Sequence, residues 1–215
     1  IGESLSGWKV GATSAKMREL DGHDDVIPGR IFESVTSVGA KQSLPFSRFA
    51  DARVEPEFAF RLTESCPLRA NPWTAAELAD KVVLHPAVEI IGNRHQIEDI
   101  SKSQNSLMGI ADNGGGIGFV FGEAYADWNE IDFKNQFIRF QVDDNEPAEN
   151  FFADMRCEPL EALADLINHL AARGFSLKKG DFASTGAAAV PQVFGARSHV
   201  TADFGAIGSV VITFT

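Results

Sequence analysis

Residues 53–62 read RVEPEFAFRL. Across 52–62, Val54, Phe58, Phe60 and Leu62 fall on one side of a period-2 pattern, with Arg53, Glu55, Glu57 and Ala59 on the other. That alternation predicts a strand with one face on a core. Pro56 has no N–H to give to a ladder, so it predicts an edge or a bulge. The polar face poses the question. Carboxylates two residues apart on a strand project together, roughly 6.5 Å apart along the chain. At an effective dielectric of about 20, two unit charges about 6 Å apart repel by about 3 kcal/mol. Open water, a salt-bridge ladder with Arg53, or a divalent cation shared with a third acid would each offset that repulsion.

Glu89 is the candidate third acid, in the apolar context AVEII at 87–91. A carboxylate in a buried strand is costly unless it is paired or bound to a metal. Three carboxylates without a Cys/His cluster describe an oxygen site suited to Mg2+ or Mn2+, whereas zinc takes nitrogen and sulfur ligands. Spacing alone leaves two plainer alternatives open: an exposed acidic face paired with Arg53, and an ordinary salt bridge at Glu89.

In Gly7-Trp8-Lys9-Val10-Gly11, Lys9 shares a strand face with two glycines, whose missing side chains leave room for a ligand. Such a lysine could meet a substrate carboxylate or shuttle a proton; a surface lysine on an edge strand remains the alternative. Ser184, Thr185 and Gly186 follow a strand and could offer hydroxyl and amide donors to a substrate carboxylate, or form a simple strand-end turn. The glycine run at 112–116 lacks the Gly-Lys-Ser/Thr of a phosphate loop and predicts a tight turn aiming amides at a neighbouring site. His23, in a turn-rich loop over 21–30, is a candidate mobile catalytic histidine, while His85 and His169 look structural. No Ser/His/Asp or Cys/His arrangement stands out.

Elsewhere the pattern predicts strands at 6–13, at 82–91 interrupted by Pro86, after the glycine run, at 136–142, at 182–186 and at 208–214. Helices are expected at 14–20, capped by Ser14, near 75–82, where Thr74 and Glu77 form a capping box, and at 159–173. The last has Pro159 in its first turn, a Leu160, Leu163, Leu166, Ile167, Leu170 stripe, and Gly174 at its end. The segments 143–146 and 178–181 read as turns. Strands outnumber helices and do not alternate with them, so the expected class is α+β, mainly β, in a single domain over 1–215.

Bulk properties narrow the function. A net charge of −11 argues against nucleic acid and anionic membranes as partners. Cys66 and Cys157 read as reduced thiols of a cytoplasmic protein, because a chain of 215 residues can build a core without a disulfide. No apolar run approaches the ~20 residues that span a bilayer. The chain opens on Ile1, almost inside a motif, and upstream residues are expected to be missing.

These segments together resemble the 2-keto-4-pentenoate hydratase and 4-oxalocrotonate decarboxylase branch of the fumarylacetoacetate hydrolase superfamily. The stretches that carry the resemblance are GWKVGATS at 7–14, RVEPEFAF at 53–60, HPAVEI at 85–90, IADN at 110–113 with GFVFG at 118–122, PLEALADLINHLAARG at 159–174 and ADFGAIGSVVITF at 202–214. The resemblance implies a mixed β-roll of the fumarylacetoacetase C-terminal type with a few flanking helices. It implies Mg2+ or Mn2+ held by Glu55, Glu57 and Glu89, with Lys9 facing the bound substrate. The implied chemistry is that of a small 2-oxo acid or its dienol: a hydratase-like lyase, or a decarboxylase or acylpyruvate hydrolase of the same superfamily. It implies at least a homodimer. The chain departs from the pattern at Ile27, where the family carries an Asp, and lacks the family's N-terminal helical region. The missing Asp also motivates the rival of a non-catalytic homologue that binds a cation or 2-oxo acid.

Overall fold

The computed structural model describes residues 2–49, 51–94 and 99–215. In chain order the elements are β1 (Leu5–Gly11), α1 (Ala15–Asp21), β2 (Ile27–Phe32), β3 (Thr36–Val38), β4 (Lys41–Leu44), β5 (Arg53–Leu62), α2 (Ala75–Leu78), β6 (Val82–Ile91), α3 (Lys102–Ala111), β7 (Gly116–Phe121), β8 (Arg139–Val142), α4 (Pro159–Ala171), β9 (Phe182–Ala187), β10 (Gln192–Val193), β11 (His199–Asp203) and β12 (Ser209–Phe214). The strands form two sheets. The larger runs β2-β1-β9-β5-β6-β7-β3, with β10 also on β5, and the smaller runs β4-β12-β11-β8. The class is α+β, mainly β, as the pattern predicts.

The even-numbered face of β5 explains the main core. Val54, Phe58, Phe60 and Leu62 join Leu84, Val88 and Ile90 of β6, the inward residues of β11 and β12, and Leu163, Leu166, Ile167 and Leu170 of α4. Phe58 sits edge-on to Phe133 and Phe204, with ring centres 5.0 and 5.4 Å away. The odd-numbered face carries a second, smaller cluster of Ile31, Ala59, Ala87, Phe119, Phe121 and Phe182. There Phe121 and Phe182 stack at 4.0 Å. This face is therefore apolar at one end and carries the acids at the other.

Both prolines are accommodated inside central strands. Pro56 is not on an edge: β5 lies between β9 and β6. Its carbonyl accepts from Ala188 N, and its N–H-less side looks the same way, toward the place where the β5–β9 register shifts between Glu57 and Ala59. Pro86 does not interrupt β6, which runs unbroken through it. The Pro86 carbonyl accepts from Gly122 N, just past the last paired residue of β7.

Capping chemistry sets the helices where it was visible. Ser14 accepts from Met17 N, and Thr74 and Glu77 form the reciprocal capping box. Several elements differ from expectation, among them β3, β4, β10 and β11, which fall where no strand was expected. The loop after α1 ends at Val26, because β2 pairs with β1 from Ile27 onward. α3 occupies 102–111, held by a Ser101–Gln104 capping box, where no helix was expected. The 143–146 turn does reverse the chain, with Ala148 N bonding back to Phe140 O, but the strand that pairs with β8 is β11.

Gly7 marks the tightest approach in the larger sheet. In the parallel β1–β9 pair it faces Phe182, and a Cβ there would lie 1.9 Å from the Phe182 carbonyl oxygen, at φ +153°. Gly7→Ala must push β1 off β9, so a loss of about 3 kcal/mol or more is expected. A thermal melt checks this; a melting temperature within a degree of wild type would refute the close packing.

Candidate metal centre and active site

The acids meet because of register. β5 and β6 are antiparallel with Glu55 directly opposite Glu89, while Glu57, two residues on, faces Ala87. One carboxylate oxygen from each of Glu55, Glu57 and Glu89 lies within 4.8 Å of the others. All three residues are buried, at 8%, 1% and 1% exposure, which removes the exposed-face alternative. Arg53 is exposed, and among the described residues no ion pair joins it to either acid of its own strand.

Lys9 arrives from β1 across β9, whose Ser184 is its partner in the ladder. It is 6% exposed, so it is no surface lysine. Its Nζ lies 3.6 Å from Glu89 Oε1, an ion pair too long for a hydrogen bond. Glycines make the room. A Cβ on Gly114, at φ +67°, would lie 2.7 Å from Lys9 Cε, and one on Gly116 would lie 2.7 Å from Glu89 Oε1.

Ser184 and Gly186 do meet a carboxylate, that of Glu57: the Ser184 hydroxyl and the Gly186 N–H (3.0 Å) both donate to Glu57 Oε2. Thr185 points to the opposite side of β9, where its hydroxyl donates to the Phe58 carbonyl at 2.7 Å. In the glycine run, Gly115 N donates to Asp112 O and so is not aimed at the acids. His23 and His169 line a separate cavity of about 480 Å3 with Trp8 and Arg30, and His169 pairs with Asp25 at 3.1 Å. His85 is buried, with Nδ1 2.8 Å from Gly122 O. Ile27 stands opposite Gly11 in the β1–β2 pair. A Cβ on Gly11 would come within 3.8 Å of both Ile27 Cβ and Lys9 Nζ, so an apolar side chain flanks the lysine.

The electrostatics are those of crowded carboxylates around one cation. Burial, reinforced by the charge on Glu57, lifts Glu55 to a pKa of about 8. Burial likewise holds Glu89 well above the ordinary carboxylate range, against the pull of Lys9. For Lys9, burial disfavours the ammonium, but the charges of Glu89, Glu55 and Glu57 outweigh it and raise its pKa. Glu89 Oε1 is buried without a hydrogen-bond partner. A buried, unsatisfied carboxylate oxygen beside two more carboxylates fits a hard dication, which such oxygens would ligate.

Two cavities open onto this centre. One, of about 460 Å3, is polar and lined by Lys9, Asp51, Arg53, Glu55, Asn93 and Gly114 among others. The other, of about 140 Å3, is lined by Lys9, Glu55 and Glu57 together with Ala12, Thr13, Met17, Met155, Cys157 and Ala187. Met155 and Cys157 escape sequence reasoning because they lie in irregular chain before α4, with no periodicity or motif to mark them. Met17 would be visible only as a residue of the predicted short helix after the GWKVGATS stretch.

No protein-family model matches the chain. The 2-keto-4-pentenoate hydratase of Burkholderia vietnamiensis is 27% identical over 215 residues, covering all of this chain and 79% of that protein. A 4-oxalocrotonate decarboxylase from Pseudomonas putida, solved with magnesium and adipate, superposes with a TM-score of 0.85 at 21% identity, over 100% of this chain and 79% of that one. A Yersinia pestis protein assigned to the fumarylacetoacetate hydrolase family gives 0.67 at 11% identity, over 100% and 95%. Strand order and similarity along the whole chain agree: the chain has the fold of solved structures that include a 4-oxalocrotonate decarboxylase and a fumarylacetoacetate hydrolase family protein, and it is similar in sequence to 2-keto-4-pentenoate hydratases.

Proposed function

We propose that the protein is a divalent-cation-dependent hydro-lyase acting on a small 2-oxo acid or its dienol, in the manner of a 2-keto-4-pentenoate hydratase. The observation that carries this is the buried convergence of Glu55, Glu57 and Glu89 within 4.8 Å, with Lys9 beside them. The hydratase names of its curated relatives support the reaction class. Glu55, Glu57 and Glu89 would hold the ion, Mg2+ or Mn2+. Once bound, such an ion supplies Lewis-acid polarisation to the carboxylate and keto oxygens of a 2-oxo acid.

The chain's own residues do the rest. Ser184 and Gly186 fix the Glu57 carboxylate through Oε2. Lys9, held as an ammonium by its neighbours, orients a substrate carboxylate or carries a proton on Nζ to and from the reacting carbon. The buried walls keep bulk water away from the charged intermediate. The protein is proposed to act in the cytoplasm and as at least a homodimer; light scattering at the 23.3 kDa of a single chain would overturn the second of these.

Two other outcomes share this centre. Decarboxylation of a vinylogous 2-oxo acid or hydrolysis of an acylpyruvate would use the same residues. Ile27 beside the lysine, in place of an acid, favours the second reading of a binding protein without turnover. Incubation with 2-hydroxypenta-2,4-dienoate and Mg2+, followed by the loss of its ultraviolet band, separates them. A hydratase consumes the band; CO2 released from a 2-oxo-3-enedioate, offered in a second incubation, indicates a decarboxylase, and a flat trace with tight ligand binding and no CO2 supports the binder. Glu57→Gln is expected to lower kcat/KM by more than the roughly 10–100-fold that loss of an outer-shell partner costs. Unchanged Mg2+ affinity and turnover in that variant would remove the basis of the mechanism.

A further inference from the structure

We infer that Met17, Met155 and Cys157 form the subsite for the substrate's tail and restrict the protein to 2-oxo acids whose tail is short and uncharged, excluding those with a second carboxylate. The inference rests on the function proposed above, because it takes the head of the substrate to sit at Lys9 and the three acids.

Two cavities share Lys9 and Glu55. The smaller, of about 140 Å3, also reaches Glu57, so it lies against more of the charged centre than its neighbour does. Apart from the charged groups its side-chain walls are methyl, methylene, thioether and thiol: Ala12, Met17, Met155, Cys157 and Ala187, with the Thr13 hydroxyl. Methionine walls suit a flat, unsaturated hydrocarbon, because the thioether is polarisable and adapts to shape. Among the described residues, no arginine, histidine or second lysine lines this cavity.

Two guanidiniums stand next to lining residues in sequence, Arg18 beside Met17 and Arg156 beside Cys157, and the first is engaged by the Ala12 carbonyl, to which its Nη1 donates at 3.0 Å. Arg156 is buried, and its Nη atoms donate to the carbonyls of Phe133, Gln136 and Ala188 and to Asn150 Oδ1. Lys16 and Lys134 line a neighbouring cavity, which has Thr13 and Cys157 in common with this one. Cys157 is held in place by its thiol, which donates to the Thr185 carbonyl at 3.2 Å. A distal carboxylate placed here would lose its water and gain no cation, beside Glu55 and Glu57, and such a group is rejected. The small volume restricts length in the same direction.

The test uses two ligands that differ only in that a carboxylate replaces a terminal methyl group, 2-oxopentanoate and 2-oxoglutarate, with pyruvate as the head alone. Binding to the full chain in saturating Mg2+ is measured by calorimetry. The expected result is that 2-oxopentanoate binds at least as tightly as pyruvate and 2-oxoglutarate on the order of 100-fold more weakly. Met155→Arg and Met17→Arg, both at half-exposed positions that tolerate a longer side chain, are each expected to narrow that gap at least about tenfold by supplying a cation. Equal or tighter binding of 2-oxoglutarate overturns the inference and places the tail in the cavity that contains Arg53, while the proposed function stands. Failure of pyruvate itself to bind overturns both. A gap that neither arginine variant narrows shows that the discrimination arises elsewhere and also overturns it.

Discussion

Lys9→Met is expected to lower turnover of a 2-oxo acid or dienol substrate by about 100- to 10,000-fold, the range associated with loss of a positioned acid–base group. Mg2+ affinity, measured by calorimetry, should change far less, because the ligand set remains. A second effect follows from charge. Lys9 is the only cation within ion-pair reach of Glu89 among the described residues, and it stabilises all three buried carboxylates. Removing one partner of a buried charged cluster costs about 3–5 kcal/mol. In EDTA above pH 8, where Glu55 must ionise, the variant should melt well below wild type. Saturating Mg2+ should close most of that difference, since a dication replaces the lost positive charge. A variant with full turnover would show that Lys9 is neither a proton carrier nor a substrate anchor.

Metal-free protein is expected to lose stability as pH rises from about 5 to 8. Glu55 has a folded pKa of about 8 against 4.5 for an ordinary glutamate, and Glu89 shifts in the same direction. Between those values the folded chain holds protons that the unfolded chain has released. Stability therefore falls with rising pH, at up to about 1.4 kcal/mol per pH unit for each such group. Lys9 shifts in the same direction, but its raised pKa contributes stability that is lost only above the lysine range, outside this window. Against a typical total of roughly 5–15 kcal/mol the fall is large. A bound dication takes the carboxylates ionised, so its affinity should rise with pH and its binding should release protons. Thermal melts in EDTA and in Mg2+ across this range measure both. Parallel slopes in the two series would show that the acids do not ligate the ion.

Much of this centre was legible in the sequence, and the remainder depended on pairing. The Glu55–Glu57 pair follows from strand periodicity, and Lys9 from its flanking glycines. Glu89 stood out only as an acid in an apolar strand. That it faces Glu55 is a matter of β5–β6 register, which spacing within one strand cannot express. Pro56 and Pro86 pointed to edges and breaks because a proline's missing N–H matters only on the side where a neighbour pairs, and here that side is already irregular. The helix at 102–111 was overlooked although Ser101 and Gln104 spell its cap. Ser184 and Gly186 were expected to hold a substrate carboxylate; their donors lie instead on Glu57, a partner 127 to 129 residues away in sequence.

Strand β9 is inserted between β1 and β5, and it pairs in parallel with a segment some 175 residues earlier by the Gly7–Phe182 register. Contacts of such high order form slowly, since a long loop must close before they reward the chain. On a ribosome, β1 and β5 would emerge with the slot between them open, two unpaired edges waiting for the strand that joins them. Lysine and glutamates thus become neighbours only in the last stage of assembly, and a nascent or truncated chain lacking β9 has neither a fixed Glu57 nor a competent ion-binding centre.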